Sequence, residues 1–368
     1  MSVYFQSIFT AFATFLVLAF ALTVPFLIYQ YRKYNYINKF RALILYSFLY
    51  YCLVAFYLII LPLPPTRDTC SWIPAGRQFY QLVPFNFIKD IIKETSVVLS
   101  NPATYLRILK EPAFLQAFFN AILLLPMGIY LRYYFKRNLK QTVVICFLIS
   151  LFFEVTQLTG IYGIYNCPYR LFDVDDLMLN TLGGYLGYLI TPVFSYLMPR
   201  QKLLDKEINE DIIRVGYIRR ALAFSVDWFI LDIVLHYFGD KQNILANGIV
   251  VFLYFIVLPY ATNGKTLGKT LVRIRIKGTE EKLKFKEVLI RYSILYYGVF
   301  GYMNFATQSY LINTNPYIQA GFVILLILAL PVFGIHLILQ MIRRDILFYE
   351  KISKTRNVVI SKGKKASQ

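Results

Sequence analysis

The residues best suited to chemistry in this chain are carboxylates and amides between positions 148 and 189. Glu154 and Gln157 stand three apart in an apolar run and so share one helix face. Arg170, Asp173, Asp175 and Asp176 crowd the connection to a second apolar run, where Asn180 follows one helical turn after Asp176. These carboxylates against a single arginine make a net negative pocket. Within a membrane such groups are costly to keep and mark a site by default. A plainer role competes: Arg170 and the Asp residues could knit the connection, with Asp176 capping the helix that follows. Glu154 has no capping role open to it. A metal here would have oxygen ligands alone, as calcium or magnesium does, and with so few ligands neither a metal nor a cofactor is expected.

Further groups lie in the second half. His236 and His336 are the only histidines, and neither is near a Ser or Cys in sequence, so no catalytic constellation is expected and the chain reads as a binding protein more than an enzyme. The segment NGKTLGKT resembles a phosphate loop, but Asn263 stands where that pattern needs Gly and an apolar run precedes it where a strand should. Lys265 and Lys269, with Arg273 and Arg275, are expected instead to hold anionic lipid head groups. Asp227 and Asp232 lie in an earlier apolar run, and Arg291 is the partner expected for Asp227.

The elements that must position these groups are membrane helices. The 368 residues are 58% hydrophobic with a mean hydropathy of +0.53, too apolar and too evenly so for a soluble globule. The net charge of +19 lies in blocks between apolar runs, not on one solvated basic face, which argues against nucleic acid as a partner. Runs of about 20 residues can cross a bilayer. They are expected at 8–29, 42–61, 113–131, 141–159 and 176–198, then at 218–238, 244–262, 288–303 and 319–342. The fold class expected is therefore an all-α, polytopic membrane helical bundle of about nine crossings in two domains. Residues 1–198 would form the first domain with five crossings, 199–217 a cytoplasmic linker, and 218–360 the second domain with four crossings and a basic cytoplasmic tail.

Most of the Lys and Arg fall in alternate segments, which puts the N-terminus outside, the C-terminus in the cytoplasm and the acidic connection outward. Glu154 and Asn180 would then sit about 8 and 6 Å below the outer ends of their helices, at similar depth. Gly183 and Gly187 form a G-x-x-x-G beside Gly184, and are expected to let the fourth and fifth crossings approach closely. Pro126 and Gly128 should bend the third crossing. The stretch 63–112 reads either as an ordinary exterior loop or as short amphipathic pieces in the membrane interface. Cys70 and Cys167 fall in outward segments and Cys52 and Cys146 within crossings, so only the first two could form a bridge.

FFNAILLLPMGIYL, FFEVTQL and YRLFDVDDLMLNTLGGYLGY closely resemble the VanZ-like family over residues 42–198. Members of that family have been linked to resistance to teicoplanin and related lipoglycopeptides. VGYIRRALAFSVDWFILD, NGKTLGKTLVRIRIKG and LFYEKISKTRNVV resemble an RDD-family membrane domain, with Arg220, Asp227 and Asp232 at the positions that name it. The last element departs from the usual form, carrying Glu350 for an Asp and Lys354 for a Gly. The resemblance implies a multi-pass protein of the cell membrane whose partners are membrane lipids. On the leading reading, the outward pocket binds the head group of a lipid or lipid-linked cell-wall precursor, or otherwise alters what a lipoglycopeptide meets. The competing readings are an ion-coupled transporter using Asp227, Asp232 and Glu154, or an envelope enzyme acting on lipid-linked substrates. A transporter calls for matching halves with broken helices, and no clear internal repeat is visible.

Overall fold

A computed structural model of the chain describes residues 2–74, 76–98, 100–196, 215–238, 244–296 and 346–360, with isolated positions between 324 and 342. Two compact units are present, Met1–Leu22 with Asn38–Lys206 and Thr23–Ile37 with Glu207–Gln368. The helix α1 (Ser2–Tyr34) therefore contributes to both. The sequence-based boundaries gave all of 1–198 to the first domain. Thr23–Ile37 belongs with the second unit because Tyr31 packs with Val215, Leu222 and Val272, and because buried Arg219 donates to the Asn35 carbonyl at 3.0 Å. The expected linker falls outside the described residues except for its end.

In the first unit, apolar runs fold as helices because a backbone in lipid must satisfy its own N–H and C=O groups. Helix α2 (Lys39–Ile60) starts where the Asn38 side chain accepts from the N–H groups of Phe40 and Arg41, and stops ahead of Pro62. Its aromatic face meets the start of α1, with Phe12 edge-on to Tyr50 and Thr14 hydrogen-bonded to Tyr57. The following loop holds strand β1 (Tyr80–Gln81), helix α3 (Asn86–Glu94) and a 3-10 run at Pro102–Lys110. No residue of α3 is buried, and Ile88 and Ile92 lie exposed on one face of it.

The bend expected in the third crossing is a break at Leu124, between α4 (Pro112–Leu123) and α5 (Leu125–Tyr133). Pro126 has no N–H to return to Ile122, and its ring crowds that carbonyl. Helix α6 (Leu139–Leu158) opens with a capping box between Asn138 and Gln141. Strand β2 (Phe172–Asp173) pairs in parallel with β1 and leads into α7 (Val174–Ser195), which packs on α4, α5 and α6.

The second unit contains α8 (Tyr217–Phe238), α9 (Ile244–Phe252) and α10 (Leu258–Ala261), the last two joined by a π-helical stretch at Leu253–Val257. After α11 (Leu267–Leu271) come β3 (Ile274–Lys277), α12 (Phe285–Tyr292), α13 (Phe348–Ile352) and β4 (Arg356–Val359). β4 pairs antiparallel with β3, Ile274 opposite Val359. Phe255, Ile276, Val288 and Tyr292 form the core between them.

Five helices among the described residues are long and apolar enough to cross a membrane: Phe5–Tyr34, Lys39–Ile60, Pro112–Tyr133, Leu139–Leu158 and Val174–Ser195. The four further crossings read from sequence are not among these five. α8 carries Arg219, Arg220, Asp227 and Asp232, 244–262 is a helix interrupted at the π-helical stretch, and the last two fall largely outside the described residues. The all-α expectation is also corrected by two small two-stranded sheets, whose strands are too short to carry a sequence signal of their own.

Candidate functional site

Helices α6 and α7 bring Glu154 and the acidic connection together. Glu154 is buried, and its Oε2 accepts from the Asp173 backbone N–H at 2.9 Å. Its carboxylate is close enough to those of Asp173 and Asp176, and to the Arg170 guanidinium, to interact with them electrostatically. Asp176 takes a hydrogen bond from the Asn120 amide of α4. One turn further on, Asn180 donates through Nδ2 to Ser150 Oγ at 3.0 Å, and its buried Oδ1 has no hydrogen-bond partner among the described residues. A small cavity of about 170 Å3 opens beside Asp173, Asp175 and Asp176, bounded by Asp90 and Glu94 of α3 and by Gln116 of α4. No basic side chain among the described residues lines it.

Several roles differ from those expected. The cap of α7 is Asp173, whose Oδ1 accepts from the Asp175 N–H at 2.8 Å, and not Asp176. Burial raises the Asp173 carboxyl above its ordinary pKa, with that hydrogen bond working against the rise. Both oxygens of Asp175 are used structurally: they accept from the N–H groups of Phe85 and Phe87 at 2.6 and 2.8 Å and so hold the start of α3. Gln157 and Arg170 face the end of α2, donating to the carbonyls of Ile59 and Leu61 at 2.9 and 3.0 Å. The group that remains for a ligand is Glu154, Asp173 and Asp176, with Asn120 and Ser150 as supporting polar groups that the sequence reading did not include.

The glycines of α7 set the distance at which these groups meet. A Cβ on Gly183 would overlap the Ala121 carbonyl, one on Gly187 the Leu125 carbonyl, and one on Gly184 the sulfur of Cys146. The G-x-x-x-G face thus packs on α4 and α5, and only Gly184 faces α6. This corrects the expected pairing of the fourth and fifth crossings, since spacing alone names a contact face but not the helix that fills it. Cys70 and Cys167 are bridged, tying the loop before α3 to the acidic connection.

The second unit holds its own buried ionic groups. Asp227 Oδ1 accepts from the Tyr254 hydroxyl and the Gly268 N–H, both at 2.7 Å, and Oδ2 from the Thr266 hydroxyl at 2.6 Å. Lys269, 3.9 Å from that carboxylate, donates to the Tyr292 hydroxyl. It is buried and therefore not a lipid-facing cation, whereas Lys265 is exposed. Arg291 pairs with Glu350 at 2.9 Å rather than with Asp227, and Arg220 meets the other oxygen of Glu350 at 2.8 Å. Arg219, not singled out from sequence, donates to the Val272 and Arg273 carbonyls that follow α11. Asp232 is exposed on α8, outside this network. The Asp227 carboxylate fills the N-terminus of α11, so the NGKTLGKT segment presents its backbone N–H to a side chain and not to a phosphate.

Residues 48–195 match the VanZ/LLP1 family and residues 243–345 match the RDD family. No curated protein and no solved structure matches the chain. The first match covers α4 to α7 and every carboxylate of the α6–α7 site. The second begins after α8, so Arg220, Asp227 and Asp232 precede it. With five long apolar helices and these two matched regions in order, the chain is a membrane protein that carries a VanZ-like region followed by an RDD-family region.

Proposed function

We propose that the VanZ-like region binds the head group of a lipid or lipid-linked cell-wall precursor at the carboxylates of Glu154, Asp173 and Asp176, and that occupancy affects susceptibility to teicoplanin-type lipoglycopeptides. The observation that carries this reading is the acidic cavity beside Asp173 and Asp176, lined by no basic side chain and adjoining a buried glutamate of α6. Carboxylates kept in such surroundings favour a cationic ligand group, and a primary ammonium offers three donors to their oxygens. A cavity of about 170 Å3 suits an aminoalkyl group and is too small for a whole antibiotic.

The site then faces outward, with the N-terminus outside and the C-terminus in the cytoplasm. The basic blocks between crossings support that orientation. So does the Cys70–Cys167 bridge, because disulfides persist in oxidising compartments. The basic tail of the second domain then lies in the cytoplasm. The test is binding of an amine-bearing lipid-linked precursor and of its N-acetylated form to the full-length protein in nanodiscs. Tighter binding of the free amine, lost in Glu154→Gln, together with a change in teicoplanin susceptibility when the gene is removed, is the expected result. Equal binding of the two forms would overturn it.

A further inference from the structure

A second cleft, lined in part by the residues just before β1 and β2, has a volume of about 530 Å3 and shares no lining residue with the acidic cavity. Its walls begin immediately past the end of α2 with Pro62 and Leu63, and are completed by Phe79 and Leu171. Two cations line it, Arg77 and Arg170, and no acidic side chain does. The walls are fixed by covalent and backbone ties. The Cys70–Cys167 bridge joins its two sides, the Thr69 hydroxyl donates to the Cys167 carbonyl at 2.7 Å, and the Phe172 N–H donates to the Phe79 carbonyl at 2.9 Å.

Arg170 uses one N–H on Leu61 and keeps others of its five for a ligand. Arg77 is exposed, and its guanidinium makes no hydrogen bond or ion pair among the described residues. Leu63 and Leu171 lie exposed at the rim. A cleft with two guanidinium groups inside and leucines at its mouth, placed just past the end of a membrane-crossing helix, matches an anion that carries an apolar chain. The end of such a helix is also where lipid phosphates lie. We infer that this cleft binds the phosphate of an anionic lipid, with Arg77 and Arg170 on the phosphate oxygens and the acyl chain leaving past Leu63 and Leu171.

This inference does not rest on the acidic cavity. The experiment uses full-length protein in neutral detergent, titrated with phosphatidylglycerol, phosphatidylcholine or inorganic phosphate and followed by native mass spectrometry and thermal stability. Phosphatidylglycerol is expected to bind and stabilise, phosphatidylcholine to do neither at the same concentration, and Arg77→Ala to weaken phosphatidylglycerol binding about tenfold. Arg107→Ala, an exposed cation of the same loop outside the cleft, controls for general attraction to a basic protein and should change nothing. Equal binding by the wild type and Arg77→Ala, or equal binding of the two lipids, overturns the proposal. So does Arg77-dependent stabilisation by inorganic phosphate alone to the same extent, which would assign the site to a soluble anion.

Discussion

The backbone N–H of Asp173 donates to Glu154 Oε2 at 2.9 Å, so the residue that caps α7 is held by the buried glutamate of α6. The bond ties the acidic connection to the helix beneath it and leaves the remaining lone pairs of the carboxylate for a ligand.

Glu154→Gln separates charge from packing. Glutamine keeps the shape and a carbonyl oxygen able to accept from Asp173, so the protein should accumulate in the membrane at close to normal levels. Binding of an amine-bearing head group should be lost, together with any effect on teicoplanin susceptibility. Glu154→Leu removes the acceptor as well and leaves a buried N–H unmet, at a cost of about 1–3 kcal/mol. Fluorescence-detected size-exclusion and binding assays on the two variants distinguish these effects. Full binding by Glu154→Gln would reduce the acidic group to loop architecture.

Asp175 is expected to behave in the opposite way, although it belongs to the same acidic run. Its two oxygens satisfy the N–H groups of Phe85 and Phe87, so Asp175→Ala should release the start of α3 while leaving Glu154 tied to Asp173. Loss of about 2 kcal/mol or more of local stability follows from two unmet donors at the edge of the fold. Hydrogen exchange across residues 85–94 should rise in this variant and remain low in Glu154→Gln.

The contrast between Glu154 and Asp175 shows what the sequence makes legible. Apolar length located the five long helices, and carboxylates set against apolar runs located the site, because both signals are local. The division of labour among the acids depends on α3, some ninety residues before Asp175, and no local pattern contains that pairing. The same limit applies to Arg291, whose partner Glu350 comes from the last described helix. Glu350 itself was visible only as a departure from the usual form of the closing element. In the structure it accepts from both Arg220 and Arg291, so the longer acid keeps an ionic role in the network. Cys70 and Cys167 were legible as a possible pair because Cys52 and Cys146 lie in apolar runs, whereas the cleft that their bridge helps to close was not.

Gly187→Leu should lower the yield of folded protein more than Gly184→Ala does. A side chain at Gly187 meets the Leu125 carbonyl, a backbone atom next to the α4–α5 break, whereas one at Gly184 meets the side chain of Cys146. Backbone cannot rotate aside, so α7 must move away from α5 and take Asp176 and Asn180 with it. The measurement is the monodisperse fraction after detergent extraction. Comparable yields for the two variants would show that α7 does not rely on this close approach.

Glu350 gives the second unit a dependence on pH. Burial alone would raise its pKa, but Arg291 and Arg220 outweigh burial and hold the carboxyl below its ordinary value of 4.5. A group depressed in the folded state contributes stability that is present above its unfolded pKa and is lost as pH falls through the folded one. Removing the charge at neutral pH leaves two largely buried guanidinium groups uncompensated, and breaking a buried pair in this way costs about 3–5 kcal/mol. Glu350→Gln should therefore unfold at lower temperature than the wild type at pH 7. The difference should begin to shrink below about pH 4.5, where the unfolded carboxyl takes up a proton, and close as the pH falls through the lower pKa of the folded one. Thermal unfolding of both proteins between pH 7 and pH 3 tests this, since other titrating groups affect the two equally and cancel in the difference. A gap that stays constant down to pH 3 would show that Glu350 supports the unit by packing and not by its charge.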